Sequence, residues 1–333
     1  MTRRPHMRDV FITSIAGRHP CGLFRDVETA IETGIPVDRR VNRLPEPTGP
    51  SRNWEGLAYV DRISRIVVGT AAEVLEGKAH DCGAGISLGT FYGSQRINEE
   101  MLETLNVSGP RALSANDFAI DTFNSPGSLA AIKLALVGPN STLLTLTSPL
   151  DSIAWAHEQI AAGRADTMLA GGYDEITPFL EHIISGSLPA LAEAACVLLL
   201  EDGAKAVADG RPVLAAVKGY GSASSKGYIG CTDAIAAALE DAHLSSADID
   251  MILMASSGID ESDGEAMAIK DLFTHSSPKM LNTKAYVGHS LGAAGAFDVA
   301  YAASLCSRGD AVNILVNAHG LGSGFASLIV GAA

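Results

Sequence analysis

The chain has little of several features that mark special classes of protein. Its five cysteines are scattered and form no C-x-x-C pair, so neither a disulfide framework nor a zinc site is predicted. No apolar run approaches the roughly 18 residues that span a membrane, and the first residues lack the apolar segment of a secretory signal. A formal net charge of −14 without a basic patch disfavours nucleic acid and anionic membranes. We therefore expect a cytoplasmic protein that binds neither, and nothing indicates a metal or another cofactor.

Small and apolar residues are abundant instead, with 47% hydrophobic residues and 34 glycines among 333 residues. A chain of this size and composition can bury a large core of closely layered helices and sheets. Short apolar runs that alternate with amphipathic segments indicate an α/β protein. The predicted strands are 10–17, 83–90, 141–147, 167–172, 196–200 and 250–254, and the predicted helices are 24–33, 61–77, 151–163 and one that starts at 124–127.

Residues 282–298, NTKAYVGHSLGAAGAFD, concentrate polar side chains where glycines lead into a helix. His289 and Ser290 stand at the expected helix start, and Lys284 lies upstream at a predicted strand end. One interpretation is a serine hydrolase that uses Ser290, because GHSLG matches the G-x-S-x-G nucleophile turn. That fold needs an acid and a histidine on later strand ends, and too few residues follow Ser290 for three further βα units.

The second interpretation is a family resemblance. The pattern K-x-x-x-G-H-x-x-G-A-A-G-A at 284–296, followed by Asp298, resembles the lysine–histidine segment of the β-ketoacyl synthases of the thiolase superfamily. The tracts GPN at 138–140, GRAD at 163–166 and AGG at 170–172 resemble the region around the family's nucleophilic cysteine. The resemblance implies a thiolase-like five-layer αβαβα fold built from two similar halves, placed at 1–205 and 206–333.

An internal repeat agrees with two similar halves. Ala-Ile-Lys occurs at 131–133 and again at 268–270, and an Arg-x-Asp tripeptide occurs before a predicted strand at 164–166 and at 308–310. Short tripeptides recur by chance, but the order of predicted elements around them is the same in both places.

The resemblance also shows which family residues are missing. The nucleophilic cysteine aligns with Leu146, or with Thr147 if the register is counted from residue 138, and one of the two family histidines aligns with Ala255. His289 and Lys284 remain. Leucine offers no lone pair that could attack a thioester, so the chain is not expected to condense acyl units by itself. The plainer interpretation of His289 is a residue that caps a glycine-rich helix start.

These losses resemble the non-catalytic chain-length factor of type II polyketide synthases. Such a subunit would pair with a catalytic ketosynthase as a heterodimer, meet the acyl carrier protein through that complex, and shape the acyl tunnel in polyketide, polyene or fatty-acid-like biosynthesis. The resemblance places the partner interface on the predicted strand, at Thr142, Leu144 and Thr145, and the tunnel floor at Phe118, Thr122 and Phe123. A third interpretation is a synthase-fold acyltransferase with an unrecognised nucleophile.

The C-terminal tract NAHGLGSG at 317–324 resembles the family's N-S-F-G-F-G-G turn. Leu321 takes the place of the gating phenylalanine in that comparison. His319 is expected to be a strand-end residue that hydrogen-bonds to the backbone.

Overall fold

The computed structural model describes residues 8–35, 43–47, 60–76, 83–145, 147–184, 190–225, 227–255, 264–320 and 324–333, in which eleven strands and twelve α-helices alternate along the chain. The strands are β1 (Val10–His19), β2 (Gly22–Leu23), β3 (Gly85–Gly89), β4 (Asn140–Leu143), β5 (Thr167–Asp174), β6 (Ala194–Asp202), β7 (Ala215–Ala223), β8 (Met251–Leu253), β9 (Lys279–Leu281), β10 (Asn313–His319) and β11 (Phe325–Gly331). The helices are α1 (Phe24–Thr33), α2 (Arg62–Val74), α3 (Gln95–Ser108), α4 (Ala115–Ile120), α5 (Ser125–Lys133), α6 (Ser148–Ala161), α7 (Pro178–Ile184), α8 (Gly203–Ala208), α9 (Gly227–Asp241), α10 (Gly264–Leu272), α11 (Lys284–Val287) and α12 (Ala294–Arg308).

Two sets of five strands follow the same spatial order. The first set runs β4-β3-β5-β6-β1 and the second runs β9-β8-β10-β11-β7. In each set the first three strands are parallel to one another and the next two are added antiparallel. The sets meet where β1 pairs with β7 at Phe11–Ala216 and Ile12–Ala215. The prediction of two similar halves is therefore confirmed.

Helices separate and cover the two sets of strands. α6 and α12 contact each other and pack against strands of both sets, so they form a central layer. α2 and α5 cover the outer face of the first set, while α9 and α10 cover the outer face of the second. Because both faces of these strands are covered, central strands such as β5 are buried along their whole length and are almost continuously apolar. This arrangement gives the five predicted αβαβα layers.

The internal repeat falls on equivalent elements. The Ala-Ile-Lys tripeptides lie in α5 and α10, which precede β4 and β9, the strands at the outer ends of the two sets. The Arg-x-Asp tripeptides precede β5 and β10, which each take the third place in the spatial order of a set. The boundary between residues 205 and 206 falls inside α8 and stays a prediction.

Several predicted elements agree closely with the structure. The helix predicted over 24–33 has the same first and last residues as α1, whereas the sequence patterns predict no helix at α3 or α4. The strand predicted over 141–147 is wrong in its extent, because β4 ends at Leu143 and the next residues turn into α6. The Thr145 hydroxyl donates to the Asp151 carboxylate, and the Thr145 carbonyl accepts from the Ser148 N–H at 3.3 Å, so both groups belong to that turn.

Lys284 is also misplaced by the prediction of a strand end. β9 ends at Leu281, and Lys284 opens the one-turn helix α11. The Asn282 side chain accepts a hydrogen bond from the Lys284 N–H at 3.1 Å, and this local turn stops the strand.

Candidate functional site

The segment between α11 and α12 forms the floor of a cleft and depends on close backbone approach. Gly288 has a φ of +77°, a value that favours glycine, and it ends α11. A 3₁₀ turn, Leu291–Ala293, then leads into α12. A Cβ atom added at Gly292 would lie 2.6 Å from a carboxylate oxygen of Asp174, so only glycine fits there.

Asp174 holds three segments of the cleft together. Its carboxylate accepts hydrogen bonds from the Thr90 hydroxyl at 2.7 Å, from the Tyr92 N–H at 2.8 Å and from the Gly292 N–H at 2.6 Å. The backbone N–H groups of Phe91 and Gly93 add two more. Burial raises the pKa of Asp174 to about 6, although these donors oppose the shift. The sequence contains Asp174 two residues after AGG, but nothing local marked it as the fixed point of the cleft.

Lys284 is buried and committed to an ion pair. Its ammonium group donates to the Asp298 carboxylate and to the Met254 carbonyl, the latter at 2.7 Å. The Thr283 hydroxyl donates to the other Asp298 oxygen at 2.5 Å. Lys284 and Asp298 therefore form an internal ion pair, and the charge of Lys284 is neutralised within the fold.

The surrounding backbone fixes His289. Its N–H donates to the Ala190 carbonyl at 2.7 Å, and its carbonyl accepts from the Ala192 N–H at 3.1 Å. The ring Nδ1 accepts the Leu291 N–H at 3.0 Å, which places the proton of the neutral ring on Nε2. Burial, together with the neighbouring Lys284 and His319, lowers the pKa of His289 to about 3. His289 is therefore a neutral imidazole at physiological pH.

A cavity of about 20 Å³ brings the predicted site positions together. Its wall contains His289 and Lys284 from the segment 282–298, Ala255 from the end of β8, and also Pro149 at the start of α6. The remaining residues around it are Phe91, Leu291, Ala294, Gly295, Asn317, Ala318 and His319. Leu146, the position aligned with the nucleophile, lies outside the described residues, as does Leu321. Thr147, the alternative nucleophile position, is not among the residues that line the cavity, and its hydroxyl donates to Asp151 at 3.1 Å.

His319 also lines this cavity, although no sequence pattern indicates it as a site residue. Its ring stacks on Phe325, with 4.4 Å between the ring centres and 7° between the ring planes. β10 and β11 pair along their whole length, which brings the two rings together at the end of the hairpin. The tract NAHG carried the residue, but its approach to His289 follows from the strand order and not from a local pattern.

The geometry does not support a nucleophile turn at Ser290. The helix α11, not a strand, precedes it, and Ser290 is only 2% exposed. Asp298, the first acid that follows Ser290, is hydrogen-bonded to Thr283 and Lys284 and so does not orient a histidine. We therefore set the hydrolase interpretation aside.

The residues predicted for the tunnel and the interface lie on the surface of the first half. Phe118 in α4 is 68% exposed and Phe123 is 42% exposed, and Thr122 between them is also exposed. The Tyr173 hydroxyl donates to the Phe123 carbonyl at 2.6 Å and anchors this segment beside β5. Thr142 lies in β4, which forms the outer edge of the sheet, and Leu144 follows it.

A second group of buried charges lies at the other side of β5. Arg62 donates to both carboxylate oxygens of Glu193, at 2.7 and 2.6 Å. Glu175 is fully buried beside them and accepts the Arg96 N–H at 3.1 Å. Burial, together with the nearby carboxylates of Glu193 and Asp61, raises the pKa of Glu175 to about 7 against the opposing effect of Arg96. This group stabilises the fold and does not line the cavity.

The described part of the chain offers neither a metal site nor a membrane-spanning helix. It contains no cluster of histidine, cysteine or carboxylate side chains that could hold a metal ion. In that same part, no helix is both long and apolar enough to cross a membrane.

Comparison with known proteins gives a consistent result. Residues 48–202 match the β-ketoacyl synthase N-terminal domain, and residues 215–318 match the β-ketoacyl synthase C-terminal domain. The chain is 28% identical over 316 residues to "Nodulation protein E" of Rhizobium meliloti (strain 1021), covering 85% of this chain and 78% of the relative. It is 32% identical over 301 residues to "Putative polyketide beta-ketoacyl synthase 1" of Streptomyces cyaneus, covering 76% and 71%.

Solved structures agree on the fold. The ishigamide ketosynthase/chain length factor superposes with a TM-score of 0.85 at 20% identity, covering 98% of this chain and all of that chain. A ketosynthase solved in complex with a type II PKS acyl-carrier protein superposes with a TM-score of 0.86 at 16% identity and the same coverage. The five-layer architecture, the repeated strand order and both domain matches lead to one conclusion: the chain belongs to the β-ketoacyl synthase family and has its thiolase-like fold.

Proposed function

We propose that this chain is a chain-length-factor-like subunit, without condensing activity of its own, that pairs with a catalytic ketosynthase and shapes its acyl tunnel. The heterodimer would act in type II polyketide, polyene or fatty-acid-like biosynthesis and would receive its acyl group from an acyl carrier protein. The chain would work as a cytoplasmic heterodimer subunit and would need no cofactor.

One observation carries this proposal: the cleft at the family's active-site position is formed without a nucleophile. The described residues around the cavity contribute imidazoles, one ammonium group, one amide and apolar side chains, but no thiol or hydroxyl. Ala255 stands where the resemblance requires a histidine, and the aligned nucleophile position is leucine in the sequence. Covalent capture of an acyl group needs an activated nucleophile, which this site does not offer.

The surface of the first half supports a paired state. α3 and α4 have no buried residue, yet α3 exposes Leu102, Leu105 and Val107. Phe118 and Phe123, in and just after α4, are exposed too, and β4 ends the strand order of the described part of the chain. Exposed apolar side chains in such number, together with an open strand edge, are typical of a protein–protein interface. The named ketosynthase/chain length factor structure with the same fold adds a precedent for such a pair.

The test is reconstitution with a catalytic, cysteine-bearing ketosynthase of a type II system. The chain alone, incubated with an acyl-loaded carrier protein, should gain no mass by intact-protein mass spectrometry and release no condensed product. Together with the ketosynthase it should co-elute on size exclusion and change the length of the products. Condensation of malonyl units by the chain alone would refute the proposal, and would favour an acyltransferase with an unrecognised nucleophile.

A further inference from the structure

A second cavity lies in the first half, away from the cleft at His289. This α2 cavity has a volume of about 250 Å³ and lies between the end of β1, one face of α2 and residues 43–47. Its lining residues are Arg18, Leu44, Pro45, Glu46, Pro47, Arg65, Ile66 and Gly69. It shares none of them with the cavity at His289. A space of this size is room for a small organic molecule and not only for a water molecule.

The sequence of α2 explains why there is space on this face. Arg65, Gly69 and Glu73 follow one another at four-residue intervals and therefore lie on one side of the helix. Gly69 has no side chain, so it leaves a gap between its two charged neighbours. A glycine inside a helix costs about 1 kcal/mol relative to alanine, and Gly69 has no positive φ that would require it. Ile66 and Leu44, both buried, provide apolar surface beside the gap.

The two arginines of the α2 cavity have donors to spare. The Nη2 atom of Arg65 lies 3.6 Å from the Glu46 carboxylate, beyond hydrogen-bonding distance, and its buried Nε atom has no hydrogen-bond partner among the described residues. Arg18 pairs through Nη2 with Glu73, while its buried Nη1 atom likewise has no partner in the described part of the chain. Buried donors without acceptors are costly, so a ligand oxygen at these side chains would stabilise them.

Glu46 is an exposed carboxylate that no close bond holds. It faces three guanidinium groups, at 3.3 Å from Arg62, 3.6 Å from Arg65 and 3.7 Å from Arg96. These distances exceed the roughly 2.8 Å of a close charge-assisted hydrogen bond. Arg62 is committed to Glu193 instead, at 2.6 Å. Glu46 therefore occupies an anion site loosely, and another oxyanion can replace it.

The segment that carries Glu46 is fixed independently of that side chain. Arg43 donates from Nε to the Ile176 carbonyl at 2.8 Å, and the Leu44 N–H donates to the Glu193 carboxylate at 2.7 Å. The Leu44 side chain is part of the buried core of the first half. Glu46 can thus move aside while the segment stays in place.

Charge and apolar surface define the class of ligand. The lining contains two guanidinium groups and one carboxylate, so its net charge is +2 − 1 = +1, in a chain whose formal net charge is −14. Arginine matches the geometry of carboxylate and phosphate groups. Pro45, Pro47 and Ile66 offer apolar contact to the rest of such a molecule.

We propose that the α2 cavity binds a small organic anion, with a carboxylate or phosphate group on a short apolar body, and that this anion displaces Glu46 from Arg65. Arg65 is the residue that binds the oxyanion, and Glu46 competes with the ligand from within the chain. No bond of the ligand is made or broken. The site lies outside the cleft at His289, and the proposal does not rest on the proposed function.

The experiment is isothermal titration calorimetry of the full chain with three probes that share one ring: benzoate, phenyl phosphate and the uncharged benzamide. At least one of the two anions should bind roughly 10-fold more tightly than benzamide, and the tighter anion identifies the preferred oxyanion. Arg65→Met keeps an apolar stem without the guanidinium group and should weaken anion binding by roughly 10-fold, the range of one hydrogen bond to a charged group. Glu46→Gln removes the competing charge and should tighten anion binding by about 2- to 5-fold, the range of an exposed ion pair.

Two further variants complete the test. Gly69→Leu fills the gap without a change of charge and should weaken the binding of all three probes, while its melting temperature reports that it is folded. Arg164→Met, at an exposed arginine outside the α2 cavity, is the matched control for Arg65→Met and should bind like wild type.

The proposal is overturned if neither anion binds the wild-type chain more tightly than benzamide, if Arg65→Met binds both anions like wild type, or if Glu46→Gln does not bind them more tightly. All of these measurements use the chain alone. A failure to pair with a ketosynthase would therefore sink only the proposed function, and a failure to bind the anions would sink only this inference.

Discussion

The carboxylate of Asp174 accepts a hydrogen bond from the backbone N–H of Gly292, with 2.6 Å between oxygen and nitrogen. Asp174 closes β5 in the first set of strands, whereas Gly292 lies between β9 and β10 of the second set. A single side chain therefore connects the two halves directly beneath the cleft. The same carboxylate holds the loop that follows β3, through Thr90 and three backbone N–H groups.

Replacement of Asp174 by asparagine should destabilise the protein. The amide of Asp174→Asn would turn an NH₂ group toward backbone donors and leave some of them without an acceptor. We expect a loss of about 2–4 kcal/mol in the free energy of unfolding at pH 7.5. Urea titration measures it, with Asp310→Asn as the control, because the Asp310 side chain is exposed and its carboxylate pairs with the exposed Arg308. Equal stability of the two variants would contradict the role given to Asp174.

Glu175 should make the stability depend on pH. Its pKa is raised from 4.5 to about 7, so the folded state retains a proton that the unfolded state releases between those values. Its contribution to stability is therefore present below pH 4.5 and declines as the pH rises to 7, by up to about 1.4 kcal/mol per pH unit. Glu175→Gln removes this decline. The free energy of unfolding of the variant relative to wild type should rise by about 2–3 kcal/mol between pH 4.5 and 7.5.

The matched control for this pH series is Glu100→Gln, an exposed glutamate in α3. Its difference from wild type should not change with pH over the same range. A Glu175→Gln curve parallel to that of wild type would show that Glu175 does not titrate in the folded protein as described.

Pairing through β4 should depend on Thr142. The carbonyl groups of Pro139 and Leu143 accept from the Ile86 and Thr90 N–H groups of the neighbouring segment, so alternate residues face inward. The N–H of Thr142 therefore points to the open edge. Thr142→Pro removes that donor while leaving the bonds to β3, and should abolish co-elution with the ketosynthase.

Two variants serve as controls for this prediction. Thr142→Val keeps the N–H and should pair normally. Thr145→Pro alters the turn into α6 instead of the strand, so a loss of pairing in that variant would report a different defect. A heterodimer that forms normally with Thr142→Pro would show that the pair uses another surface.

The chain length of the product should respond to Phe118 and Phe123. Both rings are exposed in the isolated chain, so Phe118→Ala and Phe123→Ala should change its stability by less than about 1 kcal/mol. If they close the partner's acyl tunnel, their removal leaves space for several methylene groups, and the reconstituted pair should release longer products. Mass spectrometry of carrier-bound chains measures the distribution. Phe179→Ala, in α7 and 56% exposed, is the control and should leave product length unchanged. Stable heterodimers of both tunnel variants with an unchanged product length would rule out this segment as the determinant.

Regular patterns in the sequence predicted most of the layers, but contacts between distant segments could not be foreseen. α1 is found at both predicted ends because its amphipathic period is local and Gly34 closes it with a left-handed φ of +65°. β4 is shorter than predicted because Thr145 and Thr147 hydrogen-bond to Asp151, a preference that the threonine–leucine alternation conceals. The resemblance brought His289, Lys284 and Ala255 into consideration, and the fold places them around one cavity. Asp174 bonds to a partner more than 100 residues away, and His319 reaches the cavity through the order of the strands. Neither residue is marked by a local sequence pattern.

The repeated strand order gives the molecule two equivalent sheet edges, β4 and β9, and only one of them is suited to pairing. β9 has three residues, one fewer than β4, and begins with the exposed Lys279. A short strand with a lysine is a poor template for another chain, whereas β4 carries no charged side chain. A protein with two competent edges would add subunits at both and grow into a filament. If the chain pairs through β4, as proposed, association would end when two chains have met, and the asymmetry between the duplicated halves would set the size of the assembly.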